Sequence, residues 1–244
     1  TMTFAKSWLT GFLSSFRSRK EILLSPEQSA VLEAWQQLEE PNMKCPHRRC
    51  RYVVVDVESS GLNMKKDRLI SIGAVAVTNG MIDFKDAFQV VLRQERVSTN
   101  ENILIHGIGG GAQIAGDPPV DALLAFLRYI GNAPLVAYHA FFDQSMINKA
   151  MKEYLGFELA HPWLDLAWIL PDFYDYRKEG RVPLDDWLQY FGIENILRHN
   201  AVSDAYATAK LLQIAIAAGV HKGAETPESF ASIEKTRRWL YESR

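Results

Sequence analysis

The sequence predicts an α/β protein in which a mixed sheet is flanked by helices and preceded by a helical extension. Two helix patterns precede residue 50, three apolar strand patterns follow one another from residue 51, and beyond residue 119 helix and strand patterns alternate. The expected organisation is an extension at 1–50, an α/β domain at 51–218 and a C-terminal helical segment at 219–244.

In the first twenty residues Phe4, Trp8, Phe12 and Phe16 recur at four-residue spacing beside Leu9 and Leu13, the apolar stripe of a helix. Lys6, Arg17, Arg19 and Lys20 make it basic, which suits docking on the body, a second subunit or a membrane surface. A second helix opens at Ser25, an N-cap residue with Pro26 at the first helical position and Gln28 at the capping-box position, and Pro41 closes it. Residues 52–58 then read as a strand, 69–77 as a second and 84–92 as a third, with a hairpin signal in Thr78-Asn79-Gly80. Tight connections imply antiparallel pairing among these three. The glycine-rich stretch 105–119 reads as a loop. Helices are predicted at 120–130, 142–155, 165–170, 184–191, 201–218 and 226–241, with a short strand at 134–138.

A hydrophobic content of 48% with 23% charged residues excludes a wholly disordered chain, and a net charge of −2 excludes a generally basic nucleic-acid binder while leaving room for a local basic patch. No apolar run reaches the roughly 18 residues of a membrane span, and the first residues lack the apolar core of a secretory signal, so a cytoplasmic location is expected. Cys45 and Cys50 are the only cysteines, too few for a disulfide framework. With His47 they suggest zinc, but a closed site needs about four ligands and no further cysteine exists. Lys44, Arg48, Arg49 and Arg51 form a basic cluster just before the first strand, equally readable as a phosphate grip or a solvated loop.

The first strand carries two carboxylates, Asp56 and Glu58. Residues two apart on a strand share a face, and like charges held close repel unless a cation lies between them. A hard divalent ion is the natural partner. Asp143 sits in the first turn of a predicted helix, where the helix dipole alone would favour it. His199 lies five residues before Asp204, ahead of another helical run.

Together these segments resemble the DEDDh branch of the 3'-to-5' exonucleases, which includes the proofreading epsilon subunit of bacterial DNA polymerase III, ribonuclease T and oligoribonuclease. The first motif stands as DVESSG at 56–61, with Ser-Ser for the usual Thr-Thr. The second stands as HAFFD at 139–143, with His139 for the usual Asn and Tyr138 for the usual preceding His. The third, HNAVSDA at 199–205, is intact, and IHGI at 105–108 and LDDWLQYFGI at 184–193 also match.

The resemblance covers residues 51–218 and implies a ribonuclease H-like fold. It implies that Asp56, Glu58, Asp143 and Asp204 bind two divalent ions, magnesium or manganese, whose charge balances the carboxylates. It makes His199 the general base for the attacking water, a role that suits an imidazole because it can be neutral at working pH and accept a proton. It further implies that Ser59, Ser60, Gly61, Leu62, His106 and Phe142 contact the terminal nucleotide, with Leu62 and Phe142 offering surface for base stacking. Asp165 has two readings, a helix N-cap and a carboxylate near the site. The expected activity is trimming of single-stranded DNA, with RNA the alternative, from the 3' end to nucleoside monophosphates. A homodimer is typical of the family. The N-terminal helix suits docking on a DNA polymerase or another protein, and a docking module with little activity is the competing class. A long C-terminal tail of the epsilon-subunit kind is lacking, so a stand-alone nuclease is expected.

Overall fold

A computed structural model describes residues 22–175 and 182–243. The amphipathic stripe of residues 1–20 lies outside the described residues. Helix α1 (Pro26–Gln36) carries the predicted capping box at Ser25 and Gln28 but ends before Pro41, with Gln37 as its C-cap. It packs on α4 (Pro119–Ile130).

The sheet has five strands in the order β3-β2-β1-β4-β5. Strand β1 (Arg51–Ser59) pairs antiparallel with β2 (Leu69–Thr78), which pairs antiparallel with β3 (Met81–Val91) across the Asn79-Gly80 turn. On its other side β1 runs parallel to β4 (Leu135–Ala137), and β4 to β5 (Trp163–Asp165).

The structure corrects the sequence reading at three places. Strand β3 begins at Met81, directly at the turn. Strand β5 overlaps the start of the helix predicted at 165–170, which begins at Leu166 with Asp165 as its cap. The glycine-rich stretch, read as loop, holds α3 (Gly110–Ile114) and follows α2 (Asn100–His106), which Thr99 caps at one end and the left-handed Gly107 at the other.

Alternation along β1 divides the core. Val53, Val55 and Val57 face α4 and α5 (Phe141–Tyr154), packing with Phe126, Met146 and Ile147. Tyr52 and Val54 face the opposite layer, where α6 (Leu166–Phe173), α7 (Leu184–Phe191), α8 (Ala201–His221) and α9 (Pro227–Glu242) supply Ile169, Trp187, Leu211 and Phe230. Asp56 and Glu58 continue the Tyr52–Val54 parity, so their carboxylates project toward the α8 side. No helix among the described residues is long and apolar enough to cross a membrane.

Candidate active site

The site forms where β4 stops. Parallel pairing of β1 with β4 ends at Val54 opposite Val136, and β1 runs on to Ser59, past the end of β4 at Ala137. Open α/β sheets bind their ligands at such a break. Beyond the break the ladder position on β1 is filled by a side chain: the Val57 amide donates to Asp143 Oδ1 at 3.1 Å. Asp143 lies in the first turn of α5 and is buried.

From the opposite layer, α8 delivers Asp204 one turn into the helix. Its approach depends on Gly73, the residue paired with Asp56 across β1 and β2. A Cβ on Gly73 would lie 2.3 Å from Ala201 C and Val202 N, so the first turn of α8 rests on bare backbone there. One carboxylate oxygen from each of Asp56, Glu58 and Asp204 then lies within 4.8 Å of the other two. Asp143 stands beside this trio, close enough for its charge to act on Asp56 and Glu58.

Burial and mutual repulsion dominate the electrostatics. Burial first, then the charges of Asp143, Asp204 and Glu58, hold Asp56 well above the usual carboxylate range. Glu58 is pushed up to about 8 by burial and by Asp204, and Asp143 is pushed up to about 8 by burial, against the pull of two backbone N–H groups. Clustered oxygens that resist ionisation without a counter-charge are the donor set a hard divalent cation requires. Asp143 and Asp204 each stand in the first turn of a helix, α5 and α8, where the helix dipole favours negative charge.

His199 occupies a left-handed backbone position, φ 62°, in the exposed loop before α8, and its amide donates to Asp204 Oδ2 at 3.0 Å. That bond ties the loop to the carboxylate cluster. Two neighbours that sequence reasoning missed share the same acceptor residue. Arg198 Nη1 donates to Asp204 Oδ2 at 2.7 Å while its Nε reaches Asp185 Oδ1 at 2.8 Å, and Asn195 Nδ2 donates to Asp204 Oδ1. Position beside the third motif was their only signal in the sequence.

The predicted nucleotide contacts fall into two groups. Ser59, Ser60 and Gly61 form a braced turn: Ser59 Oγ donates to Gly61 O at 2.7 Å and Ser60 Oγ to Asp67 Oδ1 at 3.0 Å, while Lys149 Nζ donates to Asp67 O at 2.6 Å. Leu62 projects from that turn, 87% exposed. His106 is buried, and its Nδ1 accepts from the Ile108 amide at 3.0 Å, with Ser98 Oγ 3.5 Å from Nε2. Phe142 is half-buried against the core, whereas Phe141 beside it is 64% exposed.

Asp165 satisfies both of its readings. It caps α6 through the Ala167 amide at 3.1 Å, and the same Oδ1 accepts the His139 amide at 2.8 Å, four residues before Asp143. Zinc finds no place at the cysteines: His47 shares Nδ1 with the Tyr52 hydroxyl and Nε2 with Ala224 O, and Cys50 Sγ donates to Cys45 O. The basic cluster lies at the far end of β1, about 16 Å from Asp56 at roughly 3.3 Å per residue. There Arg51 pairs with Asp86 at 3.1 Å and stacks over Tyr129, so the basic cluster lies away from the carboxylates.

A five-stranded mixed sheet with carboxylates converging from a strand and two helix N-termini defines a ribonuclease H-like nuclease scaffold. The exonuclease family profile matches residues 53–212, and the chain belongs to that family of nuclease enzymes, with the four carboxylates of its DEDD-type members in place. It is 32% identical over 163 residues to the DNA polymerase III PolC-type of Clostridium perfringens and 32% identical over 177 residues to that of Bacillus subtilis. Those alignments cover 66% and 70% of this chain but only 11% and 12% of the relatives' length. Among solved structures, E. coli exonuclease I in complex with a dT13 oligonucleotide superposes with a TM-score of 0.61 at 16% identity, over 71% of this chain and 42% of that one. Cell-death related nuclease 4 superposes at 0.60 and 16% identity, over 72% and 67% respectively.

Proposed function

We propose that this chain hydrolyses single-stranded nucleic acid, DNA foremost, from the 3' end and releases nucleoside monophosphates. One observation carries the reading: Asp56, Glu58 and Asp204 place carboxylate oxygens within 4.8 Å of one another, with Asp143 beside them and the His199 loop bonded to Asp204. The DNA polymerase relatives and the oligonucleotide in the exonuclease I complex support DNA as substrate.

The four carboxylates would hold two divalent ions, magnesium or manganese, which when bound would supply Lewis-acid polarisation of the phosphate and of the attacking water. His199 would accept the proton of that water as its oxygen attacks the terminal phosphodiester and the bond to the 3' oxygen breaks. Leu62, with Phe142 and the exposed Phe141, would offer faces for the last bases, and the Ser59–Gly61 turn would hold them at a fixed height. Ser60 and the backbone of the same turn complete the proposed nucleotide contacts, and buried His106 would act indirectly by bracing the loop at Ile108.

The test is digestion of 5'-labelled single-stranded DNA and RNA, including RNA of two to five nucleotides, with manganese and with His199→Ala in parallel. A ladder shortening from the 3' end of DNA is expected. Preference for the shortest RNA would replace DNA with RNA in this reading, and no wild-type cleavage of any polymer would overturn it.

A further inference from the structure

Helix α9 begins at Pro227, fifteen residues beyond the last position matched by the exonuclease family profile, yet it reaches the second motif through a continuous line of bonds. Arg238 Nη2 donates to Asp165 Oδ2 at 2.9 Å. The other oxygen of Asp165 accepts the His139 amide at 2.8 Å. His139 has φ 61°, a left-handed conformation that is unfavourable for a side chain with a Cβ, and it is the residue at which the chain leaves β4 and turns toward α5. The Phe142 amide then bonds back to His139 O at 3.2 Å, and Asp143 follows, bonded to Val57.

The grip on Asp165 is reciprocal. Its own amide donates to Glu234 Oε2 at 2.8 Å, and Arg238 Nε donates to Glu234 Oε1 at 2.9 Å, so two residues one turn apart on α9 hold both the backbone and the carboxylate of Asp165. The Arg238 guanidinium also lies 5.0 Å over the Trp168 ring, which fixes its direction. Asp165 is 2% exposed. A buried carboxylate needs a paired cation and satisfied lone pairs to stay charged, and here Arg238 is its paired cation while the His139 and Ala167 amides fill the remaining acceptor positions.

We infer that Arg238 is a positioning residue for the active site: acting through Asp165, it holds the His139 turn and thereby the placement of Asp143. The bonds stand on their own, while the consequence for catalysis rests on the exonuclease reading above. The matched family region is therefore incomplete without α9 in this chain.

The experiment compares Arg238→Ala and Arg238→Met with Arg237→Ala in the full chain. Arg237 lies on the same helix and pairs with Asp172 on α6 at 3.7 Å, so its loss loosens α9 without touching Asp165. Arg238→Met keeps an unbranched stem over Trp168 and removes every N–H donor, which keeps the comparison open if the alanine variant unfolds. In metal-free protein, amide hydrogen exchange at His139 is expected to accelerate about tenfold in the Arg238 variants, the scale of one charge-assisted bond, and to stay unchanged in Arg237→Ala. On labelled oligonucleotide, kcat is expected to fall about tenfold or more with KM within about twofold, as for a displaced catalytic group. Unchanged His139 exchange in the Arg238 variants overturns the relay, and so does an equal effect from Arg237→Ala, which would reduce α9 to general support. A wild type without cleavage would defeat the exonuclease reading alone, because the exchange measurement needs no substrate.

Discussion

Asp56 and Glu58 stand two residues apart on a strand whose other members are almost all buried, a placement that costs stability unless something answers their charge. Asp56→Asn removes a carboxylate whose ionisation burial and its acidic neighbours oppose. It is expected to raise the melting temperature of the metal-free protein and to blunt the rise that manganese produces. A native-only ligand adds about 2.7 kcal/mol at a hundredfold excess over Kd, so differential scanning fluorimetry resolves both effects. An unchanged melting temperature in both conditions would sink the cluster. Substitution of His199 tests whether chemistry can be separated from metal binding. His199→Ala is expected to lose about 10²- to 10⁴-fold in kcat while keeping manganese affinity, whereas Asp56→Ala loses both. Equal manganese affinity of the two variants by calorimetry would contradict these roles. The carboxylates were legible because each sits in a short motif of its own. Arg198 and Asn195 were not, since their bonds to Asp204 depend on how the 192–200 loop folds back. Nor could the sequence tell Phe141 from Phe142, adjacent rings at a helix start of which one turns to solvent and the other to the core.

Between elements the decisive contact is that of α8 with β2 at Gly73. Adding one methyl group there places it 2.3 Å from backbone atoms that cannot rotate away. Gly73→Ala is therefore expected to cost about 1–3 kcal/mol or more and to lift Asp204 from the cluster. The check is urea denaturation together with manganese titration; a variant with unchanged midpoint and affinity would show that α8 seats itself otherwise. The same scale shows why some elements were readable and others not. Strands β1 and β2 and helices α4 and α8 are long enough for periodicity to declare them. Strand β5 has three residues, and its identity comes from pairing with β4. Helix α3 was obscured by glycines and α2, seven residues long, was too short for periodicity to declare it, although Thr99 and Gly107 were cap signals in plain sight.

For the molecule as a whole, the raised carboxylates make stability a function of pH. Glu58 and Asp143 have ordinary values near 4 and are pushed up to about 8 in the folded state, with Asp56 raised alongside. Between about pH 4 and 8 the folded chain then holds protons that the unfolded chain has released, so without metal its stability falls as pH rises through that window. A metal bound by these carboxylates would displace those protons, and its affinity is expected to climb over the same range. Melting temperatures in chelator at pH 5, 6, 7 and 8, taken for wild type and Glu58→Gln, isolate the effect. A wild-type curve parallel to the variant's would refute it. The bond between Val57 and Asp143 joins the sheet's central strand to a group proposed to hold an ion, and an amide proton is sensitive to the charge on its acceptor. The Val57 resonance in a ¹⁵N spectrum thus serves as a built-in indicator: magnesium, which is diamagnetic, should shift that one peak early in a titration and leave the distant Arg51 amide in place.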